Sequence, residues 1–294
     1  MARENGLQKS LFALLAEAHP EAIVTLQYQY RMNKDIMTIS NTLIYDNKLK
    51  CASKSVAQRQ LDLPHFQQAL DSIHGGASCT KQSCWIEQIL DPSRKVVFLD
   101  TDKMSATEER IMETVVNKAE ASIVLQLAEA LLLAGVPEER LAVISVYRSQ
   151  LRLISQSLRG RPGVEIATID KYQGRDKECV LVSLVRSNET GKTGELLRDW
   201  RRINVAFTRA KSKIIIIGSS TTLSTTALFG IFLELMRTNN WIYQLHLGAE
   251  NEHTIQPPPS PREKRNREHK THSPAEAILK NRPILRDVYN SSSL

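Results

Sequence analysis

Short, continuously apolar runs alternate along the chain with longer segments whose apolar residues recur three or four apart. The runs are Ile23 to Leu26, Val96 to Leu99, Leu141 to Val146, Val164 to Thr168, Cys179 to Val185 and Ile214 to Gly218. Brief, rich in β-branched residues and apolar throughout, they predict strands buried on both faces. Helical periodicity covers Met32 to Tyr45, Glu108 to Ala134, Gln150 to Leu158 and Arg198 to Ala210. Strands alternating with helices in this way predict an α/β fold, a doubly wound parallel sheet spanning about residues 20 to 240. No run reaches the roughly 18 apolar residues of a spanning helix, and MARENGLQKS at the start has no apolar signal core, so no membrane role is expected.

Two segments depart from the pattern. Residues 47–93 lack a sustained period and read as an insertion before the Val96 run. After Trp241 the composition shifts to Pro257-Pro258-Pro259-Ser260-Pro261 and then to the dense mixed charge of Arg262 to Lys270. Such a stretch holds too little apolar surface to fold alone, so 249–294 is expected to be a disordered basic tail, a linker or a nuclear address. The division that follows is a lead-in helix over 1–19, one domain over 20–248, and the tail.

Charge adds a weak pointer. A formal net charge of +7 favours a polyanionic partner but does not name one. Cys51, Cys79, Cys84 and Cys179 show no C-x-x-C spacing and no neighbouring histidine pair, so they read as free thiols in a reducing compartment, and no metal ligand is assigned.

The candidate chemistry sits where the runs end. Gln29-Tyr30-Arg31-Met32 follows the first run, at the predicted carboxyl end of a strand where open α/β sheets bind ligands. An aromatic ring beside a guanidinium suits a nucleotide, one stacking on a base and the other forking onto phosphate. Arg202 and Arg209 lie seven residues apart on a predicted helix, as a pair of γ-phosphate sensors would; an arginine in that role is worth about 10³ to 10⁵ in rate. Thr168 ends a strand, and Gln173-Gly174 makes the tight connection that follows, with Asp176 in reach of a ribose hydroxyl. Tyr147 and Arg148 follow another strand end, suited to a nucleic-acid backbone or base. No G-x-x-x-x-G-K-[ST] phosphate loop occurs, since Arg186 stands five before Gly191-Lys192-Thr193, which reads as an exposed turn.

Taken together, these segments resemble the late motifs of superfamily 1 helicases, in their second RecA-like domain. Gln29 to Met32 is similar to motif IV, Thr168 to Lys177 to motif V, and Arg201 to Lys211 to motif VI, and the wording through Asn188 looks closest to the eukaryotic DNA replication helicase/nuclease family. The implied fold is a RecA-like, P-loop NTPase-type domain without its own P-loop. The resemblance implies that Tyr30 stacks on adenine, that Arg31 and Arg209 touch the γ-phosphate, and that Asp176 meets the ribose, with Gln173, Gly174 and Arg202 on the same ATP side. It turns Thr168, Tyr147, Arg148 and Asn188 towards single-stranded DNA, although Ser145-Val146 replaces the Thr-Pro that relatives often carry before Tyr-Arg.

The family's first RecA-like domain, with the P-loop and Mg²⁺ motif, is expected to precede residue 1, as is a nuclease domain with its iron–sulfur cluster. The chain then reads as a C-terminal isoform or fragment of a 5′–3′ DNA helicase/nuclease that processes flaps and resects ends. It shares ATP and Mg²⁺ with the first RecA-like domain, works with replication and repair proteins in the nucleus, the mitochondrion being open to the family, and is inactive alone. Two alternatives stay open: a non-enzymatic single-stranded nucleic-acid-binding or regulatory isoform, and an RNA helicase half of the same superfamily.

Overall fold

The computed structural model describes residues 10–74, 84–112 and 114–253. In chain order, helix α1 (Leu11–Ala18) leads to strand β1 (Tyr28–Gln29), helix α2 (Lys34–Leu43) and strand β2 (Lys50–Cys51). Helices α3 (Lys54–Ala57), α4 (Phe66–His74) and α5 (Trp85–Leu90) precede β3 (Val96–Asp100), the hairpin β4 (Glu109–Ile111) and β5 (Thr114–Val116), and the long helix α6 (Lys118–Leu133). Next come β6 (Leu141–Ser145), α7 (Arg148–Ser157), β7 (Glu165–Thr168), β8 (Lys177–Ser183), α8 (Glu195–Arg198) and α9 (Trp200–Phe207). Strand β9 (Ala210–Gly218), α10 (Ser220–Leu223), α11 (Ala227–Thr238), β10 (Ile242–Gln244) and α12 (Ala249–Glu252) complete the described chain.

Six strands form one sheet in the order β10-β3-β9-β8-β6-β7, every neighbouring pair parallel. The period of two in each strand divides its side chains between two cores. Val97, Leu99, Val143, Leu181, Ile215 and Ile217 face a core shared with α4, α5, α6 and α7. Phe98, Ile144, Val180, Val182, Ile214 and Ile216 face the other, shared with α2, α9 and α11, where Phe207 stacks on Phe232 at 5.0 Å between ring centres. Each such side chain contributes about 1.5–3 kcal/mol on burial, which explains why strands at the centre of the sheet read as unbroken apolar runs. The expected α/β parallel-sheet class is therefore the observed one.

Several local expectations are corrected. Ile23 to Leu26 is no strand: Val24 and Leu26 are 86% and 84% exposed, and pairing begins only at Tyr28, against Lys50 outside the main sheet. β-branched residues become a strand only where a partner strand and a packing surface meet them. The helix expected from Glu108 starts at Lys118, because 109–116 folds into the β4–β5 hairpin and Asn117, whose side chain accepts from the Glu120 amide, caps the helix. Of the unpatterned stretch 47–93, the described part holds β2 and helices α3, α4 and α5, and it supplies Leu61, Leu63, Ile73, Trp85 and Ile89 to the first core. Helix α9 stops at Phe207, so Arg209 lies in the turn before β9 and not on a helical face with Arg202. The expected disorder of the tail concerns residues of which 254–294 lie outside the described ones. Among the described residues, no helix is long and apolar enough to cross a membrane.

Candidate functional site

Parallel strands give the sheet two different edges, and the candidate residues divide between them. The amino ends of β8 and β9 carry the first group. Gln29 organises it: its Oε1 accepts from the Arg31 and Met32 amides at 3.0 and 2.8 Å, and its Nε2 donates to the Met32 carbonyl at 2.8 Å. Asn33 then fastens this turn to β9, its amide donating to the Lys211 carbonyl at 3.0 Å and its Nδ2 to the Ser212 carbonyl at 2.9 Å. That seam carries Arg31 to Asp176, where Nε donates to Oδ2 at 3.1 Å, while Lys211 Nζ meets Oδ1 at 2.6 Å. Burial raises the Asp176 carboxyl, but donation from Lys211 and Arg31 together pulls it below the usual carboxylate range. Both its oxygens are thus engaged by cations before any ribose is considered.

Arg209 stands beside them. Its Nε donates to the Val205 carbonyl at 2.7 Å, and its two terminal nitrogens to the Arg175 carbonyl at 3.3 Å and the Thr208 hydroxyl at 2.9 Å. Burial lowers its pKa, and the neighbouring Arg31 charge lowers it further. Two guanidiniums and an ammonium around one carboxylate leave the edge with excess positive charge, which an anion would relieve. Gly174, at φ +85° in the connection before β8, is open around its Cα, and Gln173 is exposed beside it. Tyr30 is 73% exposed, its ring free to stack. The structure thus moves Tyr30 and Arg31 from the predicted carboxyl end of a strand to the amino edge of the sheet, beside Arg209 and Asp176. Arg202 is not brought into it; its Nε pairs with Asp170 at 3.0 Å.

The carboxyl ends of β6 and β7 carry the second group. Thr168, Tyr147 and Arg148 line one cleft of about 360 Å³ together with Thr114, Val115 and Asp170. Arg148 is exposed at the first turn of α7, whereas Tyr147 is half-buried, its hydroxyl donating to the Thr193 carbonyl at 3.5 Å and accepting from Arg186 at 3.4 Å. Asn188 does not line this cleft. Its side chain ties a loop, donating to Glu108 Oε2 at 2.9 Å and the Lys192 carbonyl at 3.0 Å and accepting from the Lys192 amide at 3.0 Å. That loop includes Gly191-Lys192-Thr193, in which Lys192 is exposed but Thr193 is buried, correcting the reading of a wholly exposed turn.

Sequence patterns missed the buried acids beneath this edge. Glu108 pairs with Arg186 at 2.7 Å, both almost fully buried. Glu120 accepts from the Ser183 hydroxyl at 2.7 Å and the Val185 amide at 2.9 Å. Val185 has φ +72°, a conformation that a β-branched residue adopts only under constraint. Glu120 and Asn117, which donates to the Val185 carbonyl at 3.2 Å, supply that constraint and so aim the chain towards Arg186 and Asn188. Isolated glutamates inside helical periodicity carry no signal of such a role. Sequence spacing also hid a second grouping: His74 and His253, far apart in the chain, each place a ring nitrogen within 4.8 Å of the Cys84 sulfur.

A parallel sheet sandwiched between helices, cationic at one edge and cleft at the other, defines a RecA-like α/β domain. The chain belongs to the AAA domain family, whose model matches residues 7–221. It is 44% identical over 247 residues to the DNA replication ATP-dependent helicase/nuclease DNA2 of Saccharomyces cerevisiae, covering 83% of this chain and 16% of that protein. Arabidopsis thaliana JHS1, of the same description, is 44% identical over 83% of this chain and 17% of its own length. Human DNA2 is 44% identical over 74% of this chain and 20% of its own length. The chain thus spans a quarter or less of these relatives, and its resemblance to the DNA replication helicase/nucleases is borne out.

Proposed function

We propose that the chain is the second RecA-like half of an ATP-driven DNA helicase of the helicase/nuclease kind, acting at replication flaps and resected ends in the nucleus. The observation that carries this reading is the convergence of Arg31, Arg209 and Lys211 around Asp176 at one edge, with a separate cleft at the other. At the first edge, Arg31 and Arg209 bind and neutralise the terminal phosphate of an ATP whose other phosphates and Mg²⁺ are held by the first RecA-like domain. The single carboxylate in that group is already shared by two cations, so this half holds no Mg²⁺ there and instead uses Asp176 to orient Arg31. Tyr30 offers its ring to the adenine, while Gln173 and Gly174 shape the neighbouring backbone.

At the other edge, Thr168 and Arg148 hold the phosphates of a single strand and Tyr147 forms the cleft wall. Movement of the strand is then the relative motion of two halves that share one nucleotide, with Asn188 and Arg202 maintaining loop and helix positions beside the track. Fluorescence anisotropy with labelled single-stranded DNA, the matched RNA and duplex DNA tests the reading. The expected result is salt-dependent binding of the single DNA strand, in the range of about 10⁻⁴ to 10⁻⁶ M and without sequence preference. No binding, or preference for RNA, would contradict it.

A further inference from the structure

We propose that His74, Cys84 and His253 form a binding site for zinc(II), which clips the chain at residue 253 onto the α4–α5 segment. The three residues come from separate places: the last residue of α4, the residue before α5, and the residue after α12. One donor atom from each lies within 4.8 Å of the other two. Cys84 Sγ is 3.4 Å from His253 Nε2. A tetrahedral zinc with Zn–S of about 2.3 Å and Zn–N of about 2.0–2.1 Å separates sulfur from nitrogen by about 3.5 Å, so this pair already has the required spacing. Among the described residues, His74 Nε2 is buried without a hydrogen-bond partner, an arrangement that costs free energy unless a ligand meets the nitrogen.

The surroundings hold the donors in place. Cys84 is 1% exposed and is followed by the fully buried Trp85, whose ring meets the His253 imidazole edge-on at 6.0 Å. Helix α12 is docked by Ser122 and Gln126 of α6, which donate to the Glu250 carbonyl at 2.6 and 2.7 Å and so fix the approach of His253. Two imidazoles and a thiolate suit zinc and disfavour Mg²⁺ or Ca²⁺, and a fourth ligand, water included, completes the tetrahedron. On binding, the Cys84 thiol releases its proton to solvent and the sulfur coordinates as thiolate.

The test uses the whole chain, loaded with zinc, freed of loosely held metal and measured by elemental mass spectrometry. The expected content is about one zinc per chain, falling at least about tenfold in Cys84→Ser and unchanged in Cys51→Ser. Exchange into cobalt(II) reads the unmodified protein directly, so the result does not depend on a variant folding. A thiolate-to-cobalt charge-transfer band is expected, absent in Cys84→Ser, and chelation should speed amide hydrogen exchange in α5 and α12. An unmodified chain that takes up neither zinc nor cobalt, or a band that survives Cys84→Ser, would overturn the proposal.

Discussion

Glu120 offers a prediction whose size follows from the structure. The carboxyl is fully buried and pushed up to about 7 by burial, although the Ser183 and Val185 donors lower it; the Glu108 charge raises it further. An exposed glutamate titrates near 4.5. The folded state therefore binds this proton more tightly, so the group's stabilisation is complete below the unfolded value and is lost as pH rises through about 7. A gap of about 2.5 pKa units corresponds to about 3 kcal/mol in full, of which about 2–3 kcal/mol falls between about pH 5 and about pH 8. In Glu120→Gln the amide oxygen still accepts from Ser183 and Val185 but cannot ionise. Urea unfolding of both proteins at the two pH values should show the wild type losing that amount relative to the variant, or roughly 5–10 °C in paired thermal melts. The same difference at both pH values would refute the reasoning, since it would mean that Glu120 does not change ionisation in that interval.

Other outcomes follow from the same geometry. Glu108→Ala leaves the Arg186 guanidinium buried and unpaired and should cost about 3–5 kcal/mol in urea unfolding. Gly174→Ala meets open space but must hold φ +85°, so it should destabilise by about 1–2 kcal/mol in the same assay. Arg148→Ala should weaken single-stranded DNA binding and reduce the slope of log affinity against log salt by about 0.7, the loss of one phosphate contact.

The sheet was legible because its strands are buried on both faces. Val180 to Val182 and Ile214 to Ile217 are apolar at every position because both faces are covered, although the exposed run Ile23 to Leu26 imitates that pattern without a partner strand. The hairpin of β4 and β5 was not legible, because its apolar residues also fit a helical period and only its second strand packs: all three β4 residues are exposed, whereas Val115 and Val116 are buried. Arg31, Asp176 and Arg209 could be singled out individually. Their place on the amino edge depends on Asn33 fastening the Tyr30–Arg31 turn to β9, a contact between residues 179 positions apart that no local pattern contains. Tyr147, Arg148 and Thr168 share a cleft because β6 and β7 are adjacent and parallel, so two strand-end motifs become neighbours. Arg202 was misplaced for a plain reason: a helix end at Phe207, three residues before the expected Ala210, removes Arg209 from the helical face on which the pairing relied.

The half-site at the amino edge is tested most directly by ATP hydrolysis with the purified chain, with and without single-stranded DNA, beside Arg209→Ala. With no phosphate loop in its sequence, and with Arg31 and Arg209 proposed to meet the terminal phosphate alone, the chain should show no turnover above that of the variant, with or without DNA. DNA-stimulated hydrolysis that disappears in Arg209→Ala would contradict the account, because the chain would then be building a whole phosphate site by itself.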